Sequence, residues 1–135
     1  MNYFMNKTFE LAYKALKNDD VPVAAMIVKD GKIISKAYNK KYKLHDSTAH
    51  AEILAIRKAC KKLKTTYLND CILYVTLEPC MMCTSAILQS HISKVLYCVT
   101  SPKYGYLHKE KNISSEQIYI KEYEDLLKNF FKDKR

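Results

Sequence analysis

Two short motifs, far apart in the chain, carry side chains that bind transition metals. His50 and Glu52 begin one helical pattern, and Cys80 and Cys83 begin another directly after an apolar strand pattern. One imidazole and two thiols make three protein ligands for a tetrahedral Zn²⁺, which leaves a fourth position for water. The fold must therefore bring the starts of two helices together. Glu52, two residues after the imidazole, is predicted to carry protons beside that water and not to bind the metal.

The two motifs are specific only in combination. Cys-x-x-Cys by itself is also typical of structural zinc sites and redox pairs, and a single histidine beside an apolar helix is more often packed than ligating. His-x-Glu followed by Pro-Cys-x-x-Cys matches the signature of zinc-dependent nucleobase deaminases. We therefore predict one catalytic zinc ion per chain, held by His50, Cys80 and Cys83, with Glu52 as the catalytic residue.

Hydrophobic periodicity predicts an alternation of helices and strands along the chain. Predicted helices cover 3–17, 50–63, 79–89 and 123–131, and predicted strands cover 21–28, 32–38, 71–77, 94–99 and 118–120. Asp30-Gly31 between the first two strands is a hairpin signal, and Thr48 is a candidate N-cap for the second helix. The alternation predicts one three-layer α/β/α domain, residues 1–135, with helices on both faces of a mixed sheet.

Composition bounds the partners and the compartment. The chain has 23 basic and 14 acidic residues, a net charge of +9, which favours a polyanionic partner such as nucleic acid. Cys60, Cys71 and Cys98 are predicted to be buried free thiols instead of a disulfide framework. The sequence shows no apolar run of membrane-spanning length and no leader pattern. No membrane partner is therefore expected, and a cytoplasmic location is predicted.

Several stretches resemble one family in particular. Segments 21–25, 38–39, 45–53, 74–83 and 130–132 are similar to the cytidine deaminase-like zinc fold and, within it, to the bacterial-type tRNA-specific adenosine deaminases, which convert the wobble adenosine to inosine. The resemblance implies a five-stranded mixed sheet flanked by helices, a homodimer, and the tRNA anticodon loop as the partner. It also implies hydrolytic deamination, with zinc on His50, Cys80 and Cys83 and with Glu52 shuttling protons.

The resemblance further assigns residues to the substrate. It implies that Asn39 hydrogen-bonds the purine, that Val21 lines the base pocket, and that the Ala51 backbone reads the base edge. After the fourth strand the chain departs from the family, because Ser101 stands in place of an acidic residue that touches the RNA backbone. The part of the chain that follows is also shorter than in the family.

Basic residues near this departure are the candidates to neutralise RNA phosphates. Lys103 lies two residues after Ser101, and the end of the chain contains Lys132, Lys134 and Arg135. With Ser101 at the position of the family's RNA contact, these residues make up the predicted RNA-binding set.

Two alternatives to tRNA editing remain open at this point. One is a deaminase of a free base or nucleoside, of the guanine or cytosine type, for which the basic charge is incidental. The other is a non-catalytic zinc module, in which His45, His91 or His108 closes the fourth metal position.

Overall fold

Five strands form one mixed sheet in this computed structural model, which describes residues 2–134. The strands are β1 (Ala24–Lys29), β2 (Lys32–Tyr38), β3 (Cys71–Leu77), β4 (Lys94–Val99) and β5 (Ser114–Gln117). Their order in the sheet is β2-β1-β3-β4-β5. β1 is antiparallel to both β2 and β3, whereas β3, β4 and β5 run parallel. The mixed sheet predicted for this chain is confirmed.

Helices cover both faces of the sheet. They are α1 (Tyr3–Leu16), α2 (Ala51–Leu63), α3 (Met81–Gln89) and α4 (Lys121–Lys132). α2 and α3 pack on one face, where Ala55 and Ala59 of α2 and Ile87 of α3 are fully buried in one core. α1 and α4 pack on the other face, where Met5 and Tyr123 are fully buried in a second core. The three-layer α/β/α architecture is therefore confirmed.

Strand direction brings the two metal-binding motifs together. β2 and β3 point the same way, since β1 lies between them and is antiparallel to each. The carboxyl ends of β2 and β3 therefore share one edge of the sheet. The chain leaves β2 at that edge and enters α2, and it leaves β3 there and enters α3. Both helices consequently begin at the same edge, as the three-ligand prediction requires.

The hairpin between β1 and β2 agrees with the prediction, but β1 itself is shorter than predicted. Asp30 and Gly31 both have positive φ, 51° and 75°, which is the backbone of a type I′ turn. The predicted strand 21–28 is wrong at its start, because β1 begins only at Ala24. Pro22 has no N–H to give to a ladder, and the Val23 N–H donates to the Val21 carbonyl at 2.7 Å. The segment before Ala24, which contains the predicted substrate residue Val21, is therefore a tight turn.

Both helices at this edge begin later than predicted. Thr48 is not the N-cap of α2, since its hydroxyl donates to Asp46 Oδ1 at 2.7 Å and His50 takes the cap position. Pro79 does not lie in the first turn of α3, because Cys80 is the N-cap of that helix. A predicted metal ligand therefore occupies the N-cap of each helix.

The fifth strand is displaced from its predicted position at 118–120. β5 is Ser114–Gln117, and all four of its residues are exposed. It is an edge strand with neither face covered, so it carries no apolar alternation. Ile118 and Ile120 follow the strand and pack against the core beneath α1 and α4, which explains why they resembled a strand.

Two further predictions concern cysteines and membranes. All five cysteines are free; Cys71 and Cys98 are buried as predicted, whereas Cys60 is half-buried. Among the helices of the described residues, none combines the length and the apolar character needed to cross a membrane.

Candidate active site

The three predicted metal ligands meet in one cluster. His50, at the start of α2, directs Nδ1 towards α3, where it lies 3.8 Å from Cys80 Sγ and 3.6 Å from Cys83 Sγ. All three ligand atoms lie within 4.8 Å of one another. Cys83 is buried, and the other two residues are half-buried, so part of the cluster is accessible to solvent.

These separations fit one zinc ion. A tetrahedral Zn²⁺ at about 2.05 Å from nitrogen and about 2.3 Å from sulfur holds the two ligand atoms about 3.6 Å apart. The observed nitrogen–sulfur distances of 3.6 and 3.8 Å agree with this value. One imidazole and two thiols are also the ligand types that zinc prefers.

Of the three predicted ligands, Cys80 is the one whose pKa favours metal binding. Hydrogen bonding from Cys83 lowers the pKa of the Cys80 thiol to about 4, and the same contact raises the pKa of Cys83. Hydrogen bonding to Cys80 also raises the pKa of His50. Without a metal ion Cys80 is therefore a thiolate, the form that binds metals, whereas Cys83 and His50 keep protons that metal binding must displace.

Glu52 lies in the first turn of α2, beside the ligands. Its side chain is 3% exposed, and Oε1 has no hydrogen-bond partner among residues 2–134. Burial raises the pKa of this carboxyl to about 7, while the nearby positive charge of His50 acts in the opposite direction. A buried carboxylate oxygen without a partner is unusual in folded proteins. Such an oxygen beside three side chains of metal-binding type fits a site that a metal ion and its bound water would complete.

Asn39 joins the end of β2 to the start of α2. Its Oδ1 accepts a hydrogen bond from the Ala51 N–H at 2.8 Å, and its own N–H donates to the Val23 carbonyl at 3.0 Å. Asn39 thus supplies the side-chain oxygen that a cap residue usually provides to a helix, and Nδ2 is left as a donor. The Ala51 N–H is engaged by this bond. The structure brings these two predicted substrate residues together.

Val21, the third predicted substrate residue, is fixed by a residue that the sequence analysis missed. Asp20 is 1% exposed. Its Oδ1 accepts from the Val21 N–H at 2.9 Å, and its Oδ2 accepts from the Tyr42 N–H at 3.3 Å. Asp20 therefore joins the turn before β1 to the loop that follows β2. An aspartate before an apolar run is also typical of an exposed turn, so no local pattern distinguishes this role.

The predicted RNA-binding residues lie at separate places. Ser101 is half-buried in the segment after β4 and donates its N–H to Glu78 Oε1 at 3.2 Å. Lys103 is exposed in the same segment, with Nζ 5.2 Å from the centre of the Tyr104 ring. Lys132 is exposed at the end of α4, and Lys134 pairs with Asp19. Arg135 lies outside the described residues.

The other three histidines do not join the metal ligands in the part of the chain that the structure describes. The ring of His91 stacks on Tyr67, with ring centres 4.2 Å apart, and His108 Nδ1 lies 2.6 Å from Glu78 Oε2. His45 is exposed in the loop before α2. None of the three closes the fourth position, so the site keeps the opening that a catalytic metal needs.

Comparison with known proteins agrees with this site. The chain matches the MafB19-like deaminase family over residues 1–135. It is 44% identical to the tRNA-specific adenosine deaminase of Aquifex aeolicus, over 98% of this chain and 95% of that relative.

Two solved structures extend the comparison. One, from work on A-to-I editing by tRNA:A34 deaminases, superposes with a TM-score of 0.86 at 32% identity, over 93% of this chain and 98% of the other. The guanine deaminase of Bacillus subtilis superposes with a TM-score of 0.70 at 33% identity, over 98% of this chain and 95% of the other. By these matches the chain belongs to the MafB19-like deaminases and, within them, to the tRNA-specific adenosine deaminases.

Proposed function

We propose that this protein is a zinc-dependent hydrolase that converts adenosine to inosine at the wobble position of tRNA. The observation that carries the proposal is the cluster of His50, Cys80 and Cys83. Beside it lies the buried Oε1 of Glu52, which has no hydrogen-bond partner among residues 2–134. The Aquifex relative and the structure with the TM-score of 0.86 are tRNA adenosine deaminases, which favours tRNA over the free guanine that the Bacillus subtilis enzyme takes.

His50, Cys80 and Cys83 are proposed to hold one zinc ion per chain. Zinc bound there supplies Lewis-acid chemistry, which lowers the pKa of water towards neutrality. The protein's part is to fix the ligand geometry, with His50 and Cys80 at two helix N-caps and buried Cys83 in the first turn of α3.

Glu52 is proposed as the residue that moves protons. A carboxyl group with a pKa of about 7 can accept and donate a proton at neutral pH. It takes a proton from the water that attacks C6 of adenine and delivers it to N1 of the ring. It then takes the proton of the new C6 hydroxyl and passes it to the amino group, so that the C6–N bond breaks, ammonia leaves and the C6 carbonyl of inosine forms. One carboxylate therefore acts first as a base and then as an acid.

Asn39, Val21 and Ala51 are proposed to hold the base. Oδ1 of Asn39 is occupied by the Ala51 N–H, so its free Nδ2 is the group that can donate to a purine acceptor. Val21 offers an apolar side chain in the turn that Asp20 and the Val23 N–H stabilise. The target base must be unstacked to enter such a site, and an anticodon loop presents bases that are already unpaired.

Lys103, Lys132 and the backbone around Ser101 are proposed to contact the RNA. Both lysines are exposed, and the net charge of +9 favours a polyanionic substrate. We also propose that residues 1–135 form a single deaminase domain, that the protein is a homodimer, and that it acts in the cytoplasm. Light scattering tests the dimer, which should have twice the mass of one chain.

The decisive experiment compares substrates side by side. Purified zinc-loaded protein is incubated with unmodified tRNA, with adenosine, with guanine and with cytidine, and the products are separated by mass. Inosine at the wobble position of tRNA is expected, together with its loss in Glu52→Gln. Deamination of guanine or a free nucleoside, without any inosine in tRNA, would instead establish the small-molecule activity.

A further inference from the structure

The side chain of Glu78 is buried between the metal-binding turn and residues 100–108, which we call the 100–108 segment. It is 2% exposed. Oε1 accepts from the Ser101 N–H at 3.2 Å, and Oε2 accepts from the His108 N–H at 3.1 Å and from His108 Nδ1 at 2.6 Å. A single buried carboxylate thus receives three donors, all from the two ends of this segment.

The middle of the segment is also shaped around this carboxylate. A Cβ atom on Gly105 would lie 2.3 Å from Glu78 Oε1 and 2.5 Å from the Ser101 carbonyl oxygen. The Glu78 side chain is held by its hydrogen bonds and cannot easily move away, so only glycine permits this approach. The Tyr106 N–H, next to Gly105, donates to the Pro79 carbonyl at 2.9 Å. The segment therefore folds over Glu78 and contacts the turn that carries Cys80.

Between these fixed points the segment exposes a basic and an aromatic side chain. Tyr104 is 67% exposed, and Lys103 Nζ lies 5.2 Å from the centre of its ring. Lysine can neutralise a phosphate, and an exposed tyrosine ring can stack on an unpaired base. Their distance from the metal site is set by the bonds that hold the two ends of the segment.

We propose that Glu78 is a positioning residue, which holds the 100–108 segment beside Cys80 so that Lys103 and Tyr104 contact RNA next to the target base. This inference rests on the proposed function, because it takes RNA as the substrate. It also explains why serine is tolerated at position 101. Ser101 contributes its backbone N–H to Glu78, and residues of any type except proline can supply that group.

The first test measures the segment without RNA. Amide hydrogen exchange is recorded for zinc-loaded wild type and for Glu78→Gln, which retains one acceptor oxygen and loses the charge. We expect exchange at the Ser101 and His108 amides to accelerate at least tenfold, while amides of β3 keep their rates. Zinc content should stay at the wild-type level.

The second test separates positioning from catalysis. In Glu78→Gln, KM for an anticodon stem-loop RNA should rise about tenfold while kcat changes less than twofold, since Glu52 and the metal ligands are untouched. Gly105→Ala should have the same effect. The side chain of His108 is more than half exposed, so its variants should fold. His108→Ala should raise KM. The amide of Asn can donate as Nδ1 does, so His108→Asn should keep KM near the wild-type value. The matched control is His91→Asn, because His91 is also exposed but lies outside the 100–108 segment. It should leave both constants unchanged.

The outcomes separate this inference from the proposed function. Unchanged exchange and unchanged KM in Glu78→Gln would overturn the positioning role. Loss of zinc, or a fall in kcat with KM unaltered, would also overturn it, because Glu78 would then support the metal site. Wild-type protein that forms no inosine in any tRNA would instead refute the proposed function, whatever the exchange rates show.

Discussion

The bond between Asn39 and Ala51 allows the stability of the site and its recognition of the base to be tested separately. Asn39→Ala removes Oδ1 and leaves the N–H of fully buried Ala51 without its acceptor. Asn39→Asp keeps an oxygen at that place, removes the Nδ2 donor and adds a negative charge. The two variants therefore differ in structural support but share the loss of the proposed contact to the purine.

The magnitudes follow from the burial of the bond. An unsatisfied buried donor costs about 1–3 kcal/mol in the free energy of unfolding. At an unfolding entropy of about 2.1 cal/mol/K per residue, a chain of this length loses about 3.5 °C in Tm for each kcal/mol. Asn39→Ala should therefore lower Tm by about 4–10 °C. Asn39→Asp should lose less than half as much, because a negative charge is favourable at the start of α2.

The assay is calorimetry at fixed protein and zinc concentration, since bound metal itself raises Tm. Deamination of tRNA is measured on the same samples, and we expect kcat/KM to fall at least tenfold in both variants. Asn69→Ala, an exposed asparagine in the turn before β3, is the control and should change neither quantity. A Tm for Asn39→Ala within about 1 °C of wild type would refute the structural reasoning. Wild-type kcat/KM in Asn39→Asp would refute the contact to the base.

Three further predictions concern the metal, pH and salt. Replacing His50, Cys80 or Cys83 should abolish zinc binding in elemental analysis. Cys→Ala at each of the other three cysteines should retain zinc and lower the free energy of unfolding by on the order of 1 kcal/mol. Zinc loss in any of these three variants would contradict the ligand assignment. In zinc-free protein, burial raises the pKa of Glu52 from 4.5 to about 7, so the folded state binds the proton more tightly than the unfolded state. The stability that this proton contributes is complete below pH 4.5 and is lost by about pH 7. In denaturant titrations the free energy of unfolding should fall by about 3 kcal/mol over this range. The same pH dependence in Glu52→Gln would contradict this role of Glu52. Activity on tRNA should fall steeply as the salt concentration rises. Lys103→Ala or Lys132→Ala should each reduce the slope of log activity against log salt concentration by about 0.7–0.9. Activity on free adenosine should barely change, and a salt-insensitive reaction on tRNA would contradict the RNA assignment.

The sequence by itself was enough to predict that His50, Cys80 and Cys83 cluster, and to predict most of the sheet. His-x-Glu and Cys-x-x-Cys are local spacings, and ligands of one metal ion must meet wherever the chain runs. The bounds of β2, β3 and β4 were also predicted correctly, because each strand is one apolar or alternating run between turn residues. Periodicity reports burial, and burial is what these strands have in common.

Only the tertiary structure determined the elements whose burial does not follow from their local sequence pattern. β5 has no covered face, so its pairing with β4 leaves no apolar signature, and the apolar residues after it were mistaken for the strand. The helix starts were misplaced for a related reason. Thr48 has the side chain of a cap, but the oxygen that accepts from the Ala51 N–H belongs to Asn39, twelve residues before Ala51.

The roles of Asp20 and Glu78 also depend on the tertiary fold. Each is a charged residue beside an apolar run, which from the sequence is equally consistent with exposure. Only the folded chain brings the Tyr42 N–H to Asp20 and the Ser101 and His108 donors to Glu78. A buried carboxylate is stable only where donors converge on it, and that convergence is a property of distant segments and not of the local sequence.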